Sequence, residues 1–297
     1  MATAFCPAHI TGFFKAELSK KDSKQLGSLG AGFSIEKGVK TTVTIREKTK
    51  HDISNFTIKV NGFESGDMRV SEVVLSKFST QGKFVDIIHE IDVPVGYGFG
   101  CSAAVALSLS IALNDALKSK LSKIEVAQIA HDVEIECKTG LGDVLASYHG
   151  GFEIRDKPGA PGIGHVQKIN LNKISIIMIC FSPISTSKFI KERLSQINGL
   201  GGKMVNELLE SKNYEHFQEM SLEFAKYVNV MTPRMQKVVD ELSSNNIKCG
   251  IALFGETIFS MIPKEKEGNV LKILEKFSDG IIIKSKLDDV GARILNN

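Results

Sequence analysis

The chain has 297 residues, with 37 lysines and arginines against 34 aspartates and glutamates, so its formal net charge is +3. Hydrophobic residues make up 42% and charged residues 24%, values typical of a soluble globular protein with one large or two medium domains. So small a charge argues against a dedicated nucleic-acid or acidic-membrane binder. Glycine, with 26 residues, is the one mild excess.

Targeting signals and cysteine spacing indicate the compartment. No run of 18 apolar residues predicts a membrane-spanning helix, and the N-terminus lacks the basic start and apolar stretch of an export signal. The five cysteines are dispersed and form no C-x-x-C pair, so neither a disulfide framework nor a zinc site is predicted. We therefore expect a cytoplasmic protein without a membrane partner.

The first hundred residues are predicted to form mainly strands. Residues 40–46 and 56–60 are rich in β-branched side chains and alternate with polar ones, which is typical of strands. Residues 69–78 are compatible with a short helix. Residues 84–93 then predict a long strand that ends at Pro94.

Two helices are predicted next. The first, over residues 102–118, is apolar on nearly every face, so we expect it in the middle of the fold. The second, over residues 122–138, opens with Ser122 and Glu125 in the spacing of a capping box. Glycines then interrupt the chain before another strand at 151–155.

A turn rich in proline and glycine over residues 156–164 precedes a change of pattern, and we predict a domain boundary after it, near residue 170. Helices and strands alternate beyond it, which predicts a second α+β domain with an antiparallel sheet. The predicted strands lie near 174–181, 248–254, 256–262 and 280–285, and the helices near 187–197, 201–211, 214–228, 233–245 and 266–277.

The most informative motif joins the long strand to the buried helix: Pro94-Val-Gly-Tyr-Gly-Phe-Gly-Cys-Ser-Ala-Ala104. Its three glycines let backbone N–H groups approach a ligand, and the helix N-terminus adds unpaired donors, so the place suits a phosphate. A glycine-rich turn that only feeds a buried helix fits the spacing equally well. A Walker loop is excluded because its lysine is missing, and a dinucleotide loop would need a second strand that does not follow.

Two acidic residues are candidates for metal and proton chemistry. Glu134 shares a helix face with Ala127 and Ala130, so its carboxylate points into the fold and needs a cation, either Mg²⁺ or a core salt bridge. Asp143 follows turn glycines that would aim it into a cleft, although it could equally cap a helix over 144–149. Phosphoryl transfer uses both hard oxygen ligands and a carboxylate near the attacking hydroxyl.

The glycine motif resembles the second motif of the GHMP kinase superfamily, P-x-x-x-G-L-G-S-S-A-A, from which Phe99 and Cys101 depart. The resemblance implies that Ser102 and Glu134 hold Mg²⁺. Cys101 fits as a small packing residue or as a thiol of lowered pKa. The residues implied to bind ATP are Pro94, Gly96, Gly98, Gly100, Cys101, Ser102 and Ala103.

Residues 4–14, Ala-Phe-Cys-Pro-Ala-His-Ile-Thr-Gly-Phe-Phe, resemble the superfamily's first motif, A-P-G-K or A-P-G-R, with His9 at the basic position. Together with residues 27–32 and 38–41, this string looks like the archaeal pantoate kinases, in which ATP phosphorylates the 4-hydroxyl of pantoate on the way to coenzyme A. In that case residues 27–32 form a second glycine-rich loop near the substrate; a surface turn is the alternative. The implied substrate contacts are His9, Gly30, Gly32 and Lys40.

Two further stretches carry the resemblance. Thr139-Gly-Leu-Gly-Asp143 stands where mevalonate kinase has P-S-G-x-D, with one extra residue, so Asp143 would be the catalytic base. His9 is the second catalytic candidate, and with Lys40 it would offer positive charge to a carboxylate substrate. Residues 248–257 take the place of the third motif, with Gly255-Glu-Thr257 near the phosphates; alone, they indicate only a hairpin turn.

The resemblance implies an α+β, two-domain GHMP kinase fold. Residues 1–170 would form an ATP-binding domain of the ribosomal protein S5 domain 2-like type, and residues 171–297 a ferredoxin-like domain. The implied activity is ATP-dependent pantoate kinase, with a homoserine or mevalonate type kinase as the alternative and a non-catalytic RNA-binding protein as a remote one. We expect ATP, Mg²⁺ and a small carboxylate substrate, no nucleic-acid partner, and a homodimer as one option.

Overall fold

A computed structural model describes residues 1–63, 66–184 and 186–295. The strands are β1 (Ala2–Glu17), β2 (Gly27–Glu47), β3 (Phe56–Gly62), β4 (Lys83–Ile91), β5 (Phe152–Lys157), β6 (His165–Ile169), β7 (Ile174–Pro183), β8 (Gly250–Ala252), β9 (Gly255–Pro263), β10 (Ile281–Ser285) and β11 (Arg293–Leu295). The helices are α1 (Arg69–Ser76), α2 (Cys101–Ala116), α3 (Lys123–Cys137), α4 (Asp143–His149), α5 (Thr186–Ser211), α6 (Tyr214–Tyr227), α7 (Pro233–Ser244) and α8 (Glu267–Leu274).

The first sheet is built around the long strand β2. Its order is β11-β1-β2-β4-β3, and β5 pairs with both β2 and β6. The β3–β4 pair is parallel, and the other pairs are antiparallel. Helix α2 packs on β1 and β2, and ten of its 16 residues are buried, as its apolar sequence predicted.

The second sheet has the order β10-β7-β9-β8 and is antiparallel throughout. With one helix, α8, between β9 and β10, this order is that of a ferredoxin-like unit, into which α5, α6 and α7 are inserted between β7 and β8. An aromatic cluster joins the two sheets. Phe33 on β2 contacts Phe259 on β9 at 5.0 Å between ring centroids, and Phe217 on α6 stacks on Phe259 at 5.8 Å.

The predicted boundary near residue 170 falls between β6, the last strand of the first sheet before it, and β7, the first strand of the second sheet. The turn over 158–164 lies before that point and joins β5 to β6. Near the C-terminus β11 returns to the first sheet and pairs with β1. In the part of the chain described above, no helix is long and apolar enough to cross a membrane.

Two predicted features are wrong, and glycine is the reason in both cases. The segments at 187–197 and 201–211 form a single helix, α5, whose glycines allow close packing: a Cβ at Gly201 would collide with the carbonyl oxygen of Phe14 on β1. The stretch 27–32 is not a loop but the start of β2, paired with β1 and β5. Gly30 and Gly32 therefore lie inside the sheet.

The capping box of α3 is confirmed and makes a prediction about stability. The Ser122 side chain accepts a hydrogen bond from the Glu125 N–H, and the Glu125 carboxylate accepts one from the Ser122 N–H at 2.8 Å. Ser122→Ala should lower the free energy of unfolding by about 1 kcal/mol. Chemical denaturation measures the loss. Ser119→Ala, at an exposed serine before the helix, should change stability by much less; equal effects would contradict a role for the cap.

Candidate active site

A cleft of about 350 Å³ lies where the two sheets meet. The glycine loop at 96–102 forms one wall, and Thr139 and Asp143 also line the cavity. Thr11 on β1 contributes to the same cavity, while Ile184 and Phe254 line it from the second half of the chain. The cleft therefore draws on residues that are far apart in sequence.

The glycine loop has the backbone conformation that its sequence predicted. Gly96 and Gly98 both have φ of +86°, and Gly100, with φ of +58°, precedes the first turn of α2. A Cβ at Gly98 would also collide with the carbonyl oxygen of Leu253. Side chains are thus excluded on steric grounds, and the N-terminus of α2 points its unpaired N–H groups toward the cleft.

Cys101 and Ser102, the two residues after the glycines, differ in burial and in side-chain chemistry. Cys101 is buried, its Sγ lies 3.7 Å from the carbonyl oxygen of Pro94, and burial raises the pKa of its thiol to about 12. It is therefore a packing residue, not a reactive thiolate. Ala103 is also fully buried in α2, whereas Ser102 is half-buried and lines the cleft.

Ser102 and Glu134 lie together, as predicted. The Ser102 hydroxyl donates to Glu134 Oε2 at 3.1 Å, and the Thr139 hydroxyl donates to Oε1 at 2.5 Å. Among the residues with described side chains, no lysine or arginine pairs with Glu134, so the alternative of a core salt bridge is wrong. Burial, with a smaller contribution from the negative charge of Asp143, raises the pKa of this carboxyl to about 7.

Asp143 opens α4, but its side chain does not cap the helix. Gly142 occupies the N-cap position, and Asp143 Oδ1 instead accepts a hydrogen bond from His9 Nδ1 at 2.8 Å. The helix-cap alternative is therefore wrong. Burial alone would raise the pKa of this carboxyl, yet the hydrogen bond and charge of His9 outweigh burial and lower it. Asp143 is consequently a carboxylate at neutral pH.

A single glycine separates the two carboxylates. A Cβ at Gly140 would collide with Glu134 Oε2 and lie 3.3 Å from Asp143 Oδ2. The acidic pair predicted from the sequence is thus brought together across the backbone of the 138–142 turn. Hard oxygen atoms from Ser102, Glu134 and Asp143 converge beside the glycine loop.

His9 does not line the cleft. It is fully buried, and each of its ring nitrogens faces a carboxylate: Nδ1 faces Asp143, and Nε2 lies 2.8 Å from Glu153 Oε1. Burial lowers the pKa of the imidazole, but the hydrogen bonds and charges of the two carboxylates raise it overall. Both nitrogens therefore carry protons, and His9 is an imidazolium that supports Asp143 from behind.

Glu153 and Arg155, both on β5, complete this arrangement. Neither residue is among the site residues predicted from the sequence. Arg155 Nη1 donates to Glu153 Oε1 at 2.5 Å, and both side chains are buried. Four groups of alternating charge thus form what we term the buried charge row: Asp143, His9, Glu153 and Arg155. Their alternation with Phe152 and Ile154 is the pattern of a half-exposed strand, and no local signal in the sequence contradicts that pattern.

The remaining predicted contacts lie outside the cleft. Gly30 and Gly32 make room for the buried charge row, since a Cβ would fall 2.7 Å from Arg155 Nη2 at Gly30 and 2.5 Å from His9 Nε2 at Gly32. Lys40 lies on the surface of β2 and pairs with Glu90 at 2.6 Å. The structure thus does not bring these residues together with Asp143 at the cleft wall.

The predicted third motif supports the glycine loop from behind. The Thr257 hydroxyl donates to the carbonyl oxygen of Tyr97 at 2.8 Å, and a Cβ at Gly255 would collide with the Tyr97 backbone. Phe254, with φ of +68°, lines the cleft. The motif is a β8–β9 hairpin, as its sequence alone indicated.

Both the sequence and the fold are similar to those of known proteins. Residues 68–151 match the model of the GHMP kinases N terminal domain. A pantoate kinase of Methanocaldococcus jannaschii is 34% identical over 91% of this chain and 96% of its own length, and one of Thermococcus kodakarensis is 28% identical over 91% of each. A solved structure described as a phosphotransferase related to the CoA biosynthesis pathway superposes with a TM-score of 0.88, at 26% identity over 98% of this chain and 97% of its own.

Two buried histidines make opposite predictions about protonation. His89 lies between hydroxyl groups, with Nδ1 2.8 Å from Thr41 and Nε2 3.0 Å from Ser71, and burial lowers its pKa to about 4. At pH 6.5, near the ordinary histidine pKa, ¹⁵N NMR should therefore show a neutral His89 and an imidazolium at His9. His89→Gln assigns the neutral signal. A neutral ring at His9 would contradict the charge assignment.

The raised pKa of His9 predicts how the stability of the protein depends on pH. Because the folded-state pKa of His9 is raised, its contribution to stability is fully present below the unfolded pKa of about 6.5 and is lost as pH rises through the folded value. Asp143→Asn removes one of the two carboxylates and should weaken this dependence. Thermal unfolding of the wild-type protein and of Asp143→Asn between pH 6 and 9 measures this dependence. If the two plots of stability against pH were parallel, the predicted contribution of His9 would be contradicted.

Proposed function

Because the chain belongs to the pantoate kinase family of GHMP kinases, we propose that its cleft transfers the γ-phosphate of ATP to the 4-hydroxyl of pantoate, giving 4-phosphopantoate and ADP. One observation carries the proposal: an ionised Asp143 carboxylate faces the same cleft as the glycine loop and the Ser102–Glu134 pair. Phosphoryl transfer needs little covalent chemistry from the protein, and positioned charges and donors of this kind supply most of the catalysis.

The glycine loop is suited to the phosphates of ATP. Its backbone N–H groups and the N-terminus of α2 offer donors and a positive dipole end without a side chain in the way. Beside Ser102 the cleft continues into a recess of about 200 Å³ walled by Val60, Val70, Ile91 and Val105. This apolar recess has the chemistry to take a nucleobase while the phosphates lie along the loop.

The Ser102–Glu134 pair is suited to Mg²⁺. Among the described residues, the buried Glu134 carboxylate has two hydroxyl partners and no basic partner, and such a set of hard oxygen atoms suits a divalent cation. Its raised pKa has the same cause, since burial without a positive neighbour disfavours the charged form. The ion, when bound with ATP, would neutralise charge that develops on the phosphates.

Asp143 orients the attacking hydroxyl. Its Oδ1 is occupied by His9, while Oδ2 lies on the Gly140 side, where the carboxylate borders the cleft. A carboxylate of lowered pKa is a weak base, so it acts first as a hydrogen-bond acceptor that aims the hydroxyl oxygen at phosphorus. It takes the proton as the new O–P bond forms, when the hydroxyl has become acidic.

The substrate is tested directly by ADP release in a coupled assay with pantoate, homoserine and mevalonate in parallel. We expect turnover with pantoate far above that with the other two. Turnover with homoserine or mevalonate alone would overturn the assignment. We further propose that the enzyme acts in the cytoplasm on small molecules only; a homodimer is a prediction that light scattering can check.

Asp143→Asn should lower kcat by about 100-fold or more, the usual size of a general-base contribution. KM for both substrates should change little, because the lost interaction acts mainly on the reacting hydroxyl. Asp240→Asn, at an exposed aspartate of α7, is the control and should be silent. A near-normal kcat in Asp143→Asn would leave its carboxylate a structural role only.

Glu134→Gln should raise the Mg²⁺ concentration needed for half-maximal activity by about tenfold or more, because a neutral amide is a poorer Mg²⁺ ligand than a carboxylate. Glu136→Gln is a matched control on the same helix, since Glu136 is exposed and pairs with Lys77. Titration of activity with Mg²⁺ at saturating ATP compares the three proteins. An unchanged requirement in Glu134→Gln would refute the ligand role.

A further inference from the structure

We propose that Glu153 is a positioning residue for the phosphoryl transfer: from the buried side of His9 it fixes the imidazolium that holds Asp143 as an oriented carboxylate. The inference rests on the proposed function for its kinetic consequence. Glu153 does not touch the cleft, and its effect reaches the reacting hydroxyl only through His9 and Asp143. It is therefore a residue that acts one step removed from the substrate.

The hydrogen bonds fix both the position and the charge of the imidazole. His9 Nε2 and Nδ1 each lie 2.8 Å from a carboxylate oxygen, of Glu153 and Asp143 respectively. Asp143 alone would be satisfied by a neutral ring with a single proton on Nδ1. Only the second carboxylate requires the second proton, so Glu153 is the group that makes His9 a cation.

Arg155 adds to the dependence on Glu153. Its Nη1 lies 2.5 Å from Glu153 Oε1 and 3.4 Å from His9 Nε2. The guanidinium of Arg155 and the imidazolium of His9 therefore both approach the same oxygen, Glu153 Oε1. Without the Glu153 charge, Arg155 would repel an imidazolium at that distance. The titratable or charged side chains that face His9 are Asp143 from α4 and Glu153 and Arg155 from β5.

The arrangement is poor as a device for stability alone. Glu153 Oε2 and Arg155 Nε are buried and have no hydrogen-bond partner among the residues that the structure describes. Buried charges that are only partly hydrogen-bonded cost folding free energy, and well-packed apolar side chains usually do as well or better. A charge row that has unpartnered atoms at its buried end, and whose other end is the Asp143 carboxylate at the cleft, indicates a role at the cleft.

Loss of the Glu153 charge should shift the pH dependence of kcat in one direction. In Glu153→Gln, His9 should be neutral at pH 7, because it loses an anion while Arg155 stays. Asp143 then loses its positive neighbour, and burial raises its pKa toward neutrality. With this raised pKa, Asp143 loses its charge at a higher pH in the variant than in the wild-type protein. The acid limb of the kcat profile should therefore move to higher pH.

The test compares kcat–pH profiles between pH 5.5 and 9 for the wild-type protein, Glu153→Gln, Glu153→Asp and Glu90→Gln. For Glu153→Gln we expect kcat at pH 6 to fall about tenfold further, relative to wild type, than at pH 8.5, with little change in either KM. Glu153→Asp keeps the charge and should keep the wild-type shape even if kcat is lower throughout. Glu90→Gln, at a surface carboxylate paired with Lys40, controls for charge removal elsewhere.

Two outcomes would overturn the proposal. One is a Glu153→Gln profile of wild-type shape, or an equal low-pH loss in Glu153→Asp, since either shows that the charge of Glu153 does not matter. The other comes from ¹⁵N NMR of His9, which needs no activity: a ring that is neutral at pH 7 in wild type, or still doubly protonated in Glu153→Gln, contradicts it. The NMR result stands even if Glu153→Gln folds poorly, because the wild-type spectrum alone can refute it, and it separates this proposal from the choice of substrate.

Discussion

The imidazole of His9 is buried with a carboxylate at each ring nitrogen, and it connects three elements: β1, α4 and β5. Three buried charges and the partly buried Asp143 are tolerable because the four groups alternate in sign from Asp143 to Arg155, so each group has an opposite neighbour. The backbone N–H of His9 also donates to the carbonyl oxygen of Phe99 at 3.1 Å. The same residue thus fixes the Asp143 carboxylate and one end of the glycine loop.

Glycines make this packing of charge and backbone sterically feasible. Gly30 and Gly32 on β2 leave space for Arg155 and His9, and a Cβ at Gly142 would lie 2.9 Å from Arg155 Nε. Gly140 does the same for the two carboxylates at the cleft. The mild glycine excess of the chain is therefore not a sign of flexible loops. Several of these glycines allow buried polar groups to approach the backbone closely.

The parts of the fold and site that could be predicted depend on local patterns. Helix α3 has an apolar face and a capping box, so both its start and the burial of Glu134 follow from the sequence. Glu153 and Arg155 could not be found in that way, because their alternation with Phe152 and Ile154 is that of a half-exposed strand. Their burial results from β6 and β2 on either side of β5 and from the contact with His9 on β1, and both β2 and His9 are distant in sequence.

The cleft itself explains how a nearly neutral chain can act on phosphates. Among the described residues that line it there is no lysine or arginine, while Asp143 contributes a negative charge and Glu134 lies just behind Ser102. Free anions would be repelled by these carboxylates, whereas a nucleotide that carries its own divalent cation would be attracted. The backbone N–H groups of the glycine loop can then bind the phosphates without any basic side chain.

The second half of the chain maintains this loop, because the Leu253 N–H donates to the Thr11 carbonyl oxygen at 3.1 Å and the Thr257 hydroxyl donates to the Tyr97 carbonyl oxygen. The shape of the loop, and with it the proposed binding of a metal-bound nucleotide, therefore depends on both sheets being correctly packed.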